Sequence, residues 1–115
     1  MLDYKCNNRD FYNLLFNVNQ IEVTPNCINE YIKFSHELNH YLSCKYPEYY
    51  AGLQLYQSKN NRCCFTVIAA YYDVPNVYEK SKLIGDEIST IYDCVWGCKV
   101  KRSSCFTFRD NCRIS

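Results

Sequence analysis

The stretch that most constrains the fold is residues 62–72, RCCFTVIAAYY. It is rich in β-branched and aromatic side chains, and both of its alternating faces are apolar. That pattern predicts a central strand covered on two sides, which requires a sheet with neighbours around it. Just before it, residues 52–58 alternate, with Leu53 and Leu55 on one side. Lys59-Asn60-Asn61 lies between the two runs, and Asn tolerates the positive φ that tight turns need. The pair reads as a β-hairpin.

Helical patterning flanks this hairpin. In residues 9–18, Phe11, Leu14, Leu15 and Val18 fall at i, i+3, i+4 and i+7, which predicts a short amphipathic helix. Residues 20–24 read as a brief extended piece. Thr24-Pro25 then marks a helix start, because proline suits the first turn. This helix is expected over residues 26–44, ending before Pro47, with Ile28, Tyr31, Ile32, Ser35, Leu38 and Leu42 as its stripe. Asn76 and Glu79 have capping-box spacing ahead of a third helix with the stripe Val77, Ser81, Ile84, Ile88 and Ile91. Gly85 interrupts that helix at a cost of about 1 kcal/mol. Alternation at Trp96, Cys98 and Val100, and again at Phe106 and Phe108, predicts a second hairpin. The expected fold is α+β: a small antiparallel sheet of two hairpins with about three helices on one side, in the order α-α-β-β-α-β-β. Its 115 residues make one domain, 1–115, with no repeat or linker.

Composition bounds the class. Hydrophobic residues make up 48% and charged residues 22% of the chain, as in ordinary globular proteins. Twelve tyrosines favour surfaces that pack against other proteins, since the ring is large and apolar with a polar tip. Tyr, Asn, Ile, Lys and Phe share AT-rich codons, which hints at an AT-rich source genome. Charged residues in the first ten positions exclude a secretory h-region there, and the longest apolar run is too short to span a bilayer. A cytoplasmic or nuclear location is expected, with a virion or other assembly as the exception that would permit disulfides.

Nine cysteines are an odd number, so they cannot all pair within one chain, and no CxxC string occurs. In a reducing compartment most serve as small apolar residues. Cys63 and Cys64 are adjacent in the expected central strand, so they point to opposite faces and at least one belongs to the core. Cys94, Cys98, Cys105 and Cys112 form the candidate thiol or disulfide cluster.

His36-Glu37-Leu38-Asn39-His40 is the motif with the most specific chemistry. Histidines at i and i+4 on a helix can ligate one zinc, and the intervening glutamate can serve as base to a zinc-bound water. Over about ten residues the string resembles the active-site helix of zincin metallopeptidases. Phe34, Leu38, Asn39, Tyr41 and Leu42 agree with the uncharged surroundings of that motif, whereas Lys33 departs from them. The resemblance implies His36 and His40 as zinc ligands and Glu37 as base, with Glu79, Asp86 or Glu87 left to supply a third ligand. A structural zinc is a separate reading, because Cys44 extends the His36 and His40 series by another four residues. The plain alternative is two solvent-exposed histidines sharing a polar face with Asn29, Glu30 and Lys33.

The last candidate is basic. Lys99, Lys101, Arg102, Arg109 and Arg113 face a single acid, Asp110, near the C-terminus. Lys99, Lys101, Arg102 and Arg109 on a hairpin could grip a phosphate backbone. The competing explanation is an edge strand that carries charge against aggregation, and the overall charge of +1 favours it. No phosphate-binding glycine loop and no Gly-x-Ser-x-Gly elbow is present. The sequence therefore leads to the expectation of a non-enzymatic structural or protein-interaction protein, such as a small component of a viral or organellar assembly, with a protein partner or self-association and no cofactor. A minimal zinc hydrolase and a nucleic-acid-binding hairpin stand as the alternatives.

Overall fold

The computed structural model describes residues 14–108, with the side chains of 104–108 outside the description. The elements are β1 (Leu14–Val23), α1 (Ile28–Lys45), β2 (Tyr50–Gln57), β3 (Cys64–Tyr72), α2 (Val77–Val95) and β4 (Val100–Phe108), with short 3-10 turns at Pro25–Cys27 and Gly97–Lys99. The order is thus β-α-β-β-α-β. The four strands form one sheet in the order β2-β3-β1-β4, and every neighbouring pair is antiparallel. This is the split βαβ, ferredoxin-like arrangement.

The α+β class and the small antiparallel sheet agree with the expectation, but the helix count and the order do not. Two long helices are present among the described residues, not three. The helix expected over 9–18 is β1 from Leu14 onward, and Phe11 lies outside the described residues. The apolar positions there fitted a helix, but Leu15 and Val18 point to opposite faces of a strand. Leu15, Asn17, Asn19, Ile21 and Val23 form the buried face. Two asparagines on that face mask the period-two signature.

The expected second hairpin is a single strand. Trp96 caps α2, Gly97 turns with φ 56, and the chain then enters β4, which runs beside β1 from Val100 paired with Val23. Within it, Ser103 pairs with Gln20 in mid-strand.

The other elements follow the sequence. In α1, Tyr31, Ser35, Leu38 and Leu42 are buried, and in α2, Val77, Ser81, Ile84, Ile88 and Tyr92 are buried. Ser35 and Ser81 bring small side chains into these interfaces and return their hydroxyls to the carbonyls of Tyr31 and Tyr78. Asn76 does not act as the expected capping side chain. It adopts a left-handed conformation, φ 68, and turns the chain into α2 by its backbone. In the β2–β3 turn, Ser58 Oγ accepts from the amides of Asn60 and Asn61, and Asn61 Oδ1 accepts from that of Cys63.

Both helices share one core with one face of the sheet, where Leu15, Ile21, Val23, Tyr50, Phe65, Val67, Ala69, Tyr71 and Val100 are buried. On the other face Leu14, Phe16, Val18, Ile68, Ala70 and Tyr72 are half-buried. The central strand β3 is therefore fully covered on one side only. Cys63 and Cys64 are both half-buried, and among the described side chains the buried thiol is that of Cys27.

Candidate functional site

The helix-packed face of a sheet ordinarily carries apolar side chains. Here β1 places Asn17 and Asn19 on it, 8% and 6% exposed. Uncompensated, each buried carboxamide would cost a few kcal/mol. They are compensated by a connected polar chain. Asn19 Nδ2 donates to Asn17 Oδ1 at 2.8 Å. Asn19 Oδ1 accepts from Arg102 Nε at 3.3 Å, and Arg102 Nη1 donates to Ser89 Oγ at 3.0 Å. The guanidinium also lies over the Tyr92 ring, with Cζ 4.8 Å from its centroid.

Register explains how these residues meet. Arg102 pairs with Ile21, so its side chain shares the buried face with Asn19 and Asn17 on the adjoining strand. Ser89 reaches it from α2. Asn17, Tyr71, Lys82, Gly85, Asp86, Ser89 and Arg102 line one cleft of about 250 Å³ between α2 and the sheet. On α2, positions 82, 85, 86 and 89 are spaced i, i+3, i+4 and i+7, which makes them a single stripe along the helix. Gly85 is where that stripe opens. A Cβ placed on it would meet nothing within 4 Å, so packing does not demand a glycine there.

Behind the cleft the core is aromatic. Tyr31 and Tyr92 share a 2.7 Å hydroxyl–hydroxyl hydrogen bond. Phe34 meets Tyr92 and Trp96 edge-on at 5.3 and 5.4 Å. Burial raises the phenol pKa values of Tyr31, Tyr71 and Tyr92, and the positive charge of Arg102 pulls each partly back. Tyr71 comes out at about 12, so at neutral pH it lines the cleft as an un-ionised phenol.

The sequence-derived sites fall elsewhere. His36, Glu37 and His40 are exposed on α1, and Cys44 Sγ lies 3.7 Å from His40 Nε2. Among the described residues no group of three or more His, Cys, Asp and Glu side chains is gathered as a metal site would require. Of the candidate third ligands, Glu87 is engaged by Tyr41 and Lys45 of α1 and by Tyr46 just past its end. Cys94 and Cys98 are free and exposed. Cys105 lies in β4 with its side chain undescribed, and Cys112 falls outside the described residues. The basic set is divided: Lys101 is exposed on the far face of the sheet, Arg102 is drawn into the core side, Lys99 sits in a 3-10 turn, and Arg109 falls outside the described residues.

Sequence reading thus grouped Arg102 with the wrong neighbours and passed over Asn17, Asn19 and Ser89. The only trace of it was incomplete: Leu15, Ile21 and Val23 fit a period of two, but Asn17 and Asn19 fill the positions between them.

No family profile matches this chain, and no curated protein matches it in sequence. Its structure is similar to that of a chain described as "Putative antibiotic biosynthesis monooxygenase from Nitrosomonas europaea". The similarity has a TM-score of 0.58 at 14% identity and covers 83% of this chain and 88% of that one. At such identity the likeness establishes a shared fold. It also corrects the expectation of a non-enzymatic structural protein or viral-assembly component, because the fold is one found in a protein described as an enzyme. Among the described residues, no helix is long and apolar enough to cross a membrane.

Proposed function

We propose that this chain is a small-molecule-binding domain of enzyme type, and that the cleft between α2 and the sheet is its working site. The observation that carries the reading is the polar chain Asn17–Asn19–Arg102–Ser89, built into the core face and ending at an open cleft. A purely structural network has no need of a cleft beside it, nor of a helix glycine whose missing side chain nothing crowds. The monooxygenase description of the structural neighbour supports a small molecule as the occupant. A cleft of about 250 Å³ suits a ligand about the size of one substituted ring.

Gly85 provides the test. Gly85→Phe places a ring in the cleft while leaving Asn17, Asn19, Ser89 and Arg102 untouched. Ligand-observed NMR with a set of one-ring aromatic and aliphatic compounds should reveal binders to the wild type that Gly85→Phe no longer binds. If every compound that binds does so equally well to both proteins, the cleft is not the site.

A further inference from the structure

Arg102 is half-buried, and among the described residues no carboxylate forms an ion pair with its guanidinium. Its described hydrogen-bond partners are neutral oxygens, those of Asn19 and Ser89, and it stacks on a neutral ring. A charge taken partly out of water without a counter-ion is costly, and a carboxylate is the partner that best matches the planar fork of arginine. Of its five N–H groups, the described residues take two, through Asn19 and Ser89. The described residues leave the other three open, on a side chain that lines the cleft.

The surroundings hold this donor in place. Asn19 Oδ1 and Ser89 Oγ grip different nitrogens of the group, from β1 and from α2, so its plane is fixed at two points. Asn17 Oδ1 is taken by Asn19, and Asn17 Nδ2 makes no hydrogen bond to a described residue. Asn17 lines the same cleft, so its carboxamide brings a second donor group to that wall. Tyr71 adds a phenol O–H. Arg102, Asn17 and Tyr71 thus present donors along one wall. At the rim, Lys82 and Asp86 have opposite charges, so the net charge of the lining stays positive.

We infer that the cleft takes a small organic anion, a carboxylate on a ring-sized body, with Arg102 as the group that binds its oxygens and Asn19 and Ser89 as the residues that position Arg102. This rests on the cleft being the working site and adds the ligand class to it. Lys82 has a lesser part, since its ammonium lies 4.4 Å from the centroid of the Tyr78 ring, on its own helix.

Benzoate and benzamide are the probes, because they differ in charge and hardly in shape. By fluorine NMR with their 4-fluoro derivatives, the wild type should bind the acid at least ten-fold more tightly than the amide. In Arg102→Gln the two affinities should come within about two-fold of each other. Arg102→Lys should restore part of the preference, and Lys82→Gln should leave it within three-fold of wild type. Ser89→Ala should weaken benzoate several-fold while leaving benzamide unchanged, which separates positioning from general damage. Equal affinity for acid and amide in the wild type overturns the anion inference. If Gly85→Phe still abolishes both, the small-molecule site survives that result. A preference that persists in Arg102→Gln but vanishes in Lys82→Gln also overturns it, by moving the anion to the rim. If Arg102→Gln does not fold, the Ser89→Ala and Lys82→Gln ratios decide alone.

Discussion

The two helices pack on the same face of the same sheet, yet one closes its ground and the other leaves a gap. Under α1 the stripe of Tyr31, Ser35, Leu38 and Leu42 is sealed, and Tyr31 and Leu42 have no exposed surface at all. Under α2 the stripe of Val77, Ser81, Ile84, Ile88 and Tyr92 is equally buried, but Gly85 and Ser89 beside it are half-exposed over Asn17 and Arg102. Hydrophobic burial is therefore shared by both helices, and the opening comes from a few residues alongside one of them. Stability and binding can be changed separately here, because the residues that serve them are different.

The sharpest way to break the comparison is to open the sealed side. Leu42→Ala removes a fully buried side chain, so the loss combines transfer and cavity terms and should reach about 2–5 kcal/mol. Urea denaturation followed by the single tryptophan, Trp96, would read it. A loss under 1 kcal/mol would mean that α1 is not the sealed half. Binding in the α2 cleft should survive wherever the variant is folded.

The second test concerns the clasp between the helices. The Glu87 carboxylate of α2 accepts from the hydroxyls of Tyr41 in α1 and of Tyr46 just past its end, and forms an ion pair with Lys45 at 2.9 Å. Partial burial pushes the Glu87 carboxyl up, but these hydrogen bonds outweigh it and hold the pKa down at about 2. A carboxyl whose folded pKa lies below its unfolded value stabilises the fold above the unfolded value. That contribution is lost as pH falls through the folded one. For Glu87 the window runs from its ordinary 4.5 down to about 2. Glu87→Gln should cost about 1–2 kcal/mol at neutral pH and flatten the stability profile across that window. A mutant whose acid profile overlays that of the wild type would show that the clasp contributes nothing.

The same contrast accounts for what the sequence made legible. Both long helices and the β2–β3 hairpin were readable, because each obeys one period and carries its own boundary signals: Pro25 and Pro47 around α1, Asn60 and Asn61 in the turn. The misreadings fell on β1 and β4, the neighbouring strands that carry Asn17, Asn19 and Arg102. A strand whose buried face bears carboxamides looks like no simple pattern, and a lone arginine in β4 looks like surface. Local rules fail where buried polar groups are retained for another purpose, so the misreading fell on the residues of the site. Conversely, the His36-Glu37-x-x-His40 string was conspicuous because it is local, yet the fold gathers no third ligand to it among the described residues.

The smallest expected effect is the most discriminating, because its sign is opposite. Gly85 lies in the interior of α2, where glycine costs about 0.5–1 kcal/mol relative to alanine through backbone entropy. Its Cβ site is empty of neighbours to 4 Å, so Gly85→Ala introduces no clash. The variant should therefore be more stable than the wild type by about that amount, visible as a shift of the urea midpoint to higher concentration at unchanged slope. A methyl group occupies little of a 250 Å³ cleft, so one-ring ligands should still bind, whereas Gly85→Phe should exclude them. Stability rising in both variants while binding is lost in only the larger one would separate the helix from the cleft. If Gly85→Ala destabilises the fold instead, the helix needs its glycine for packing, and an opening maintained at the expense of stability is the wrong account of it.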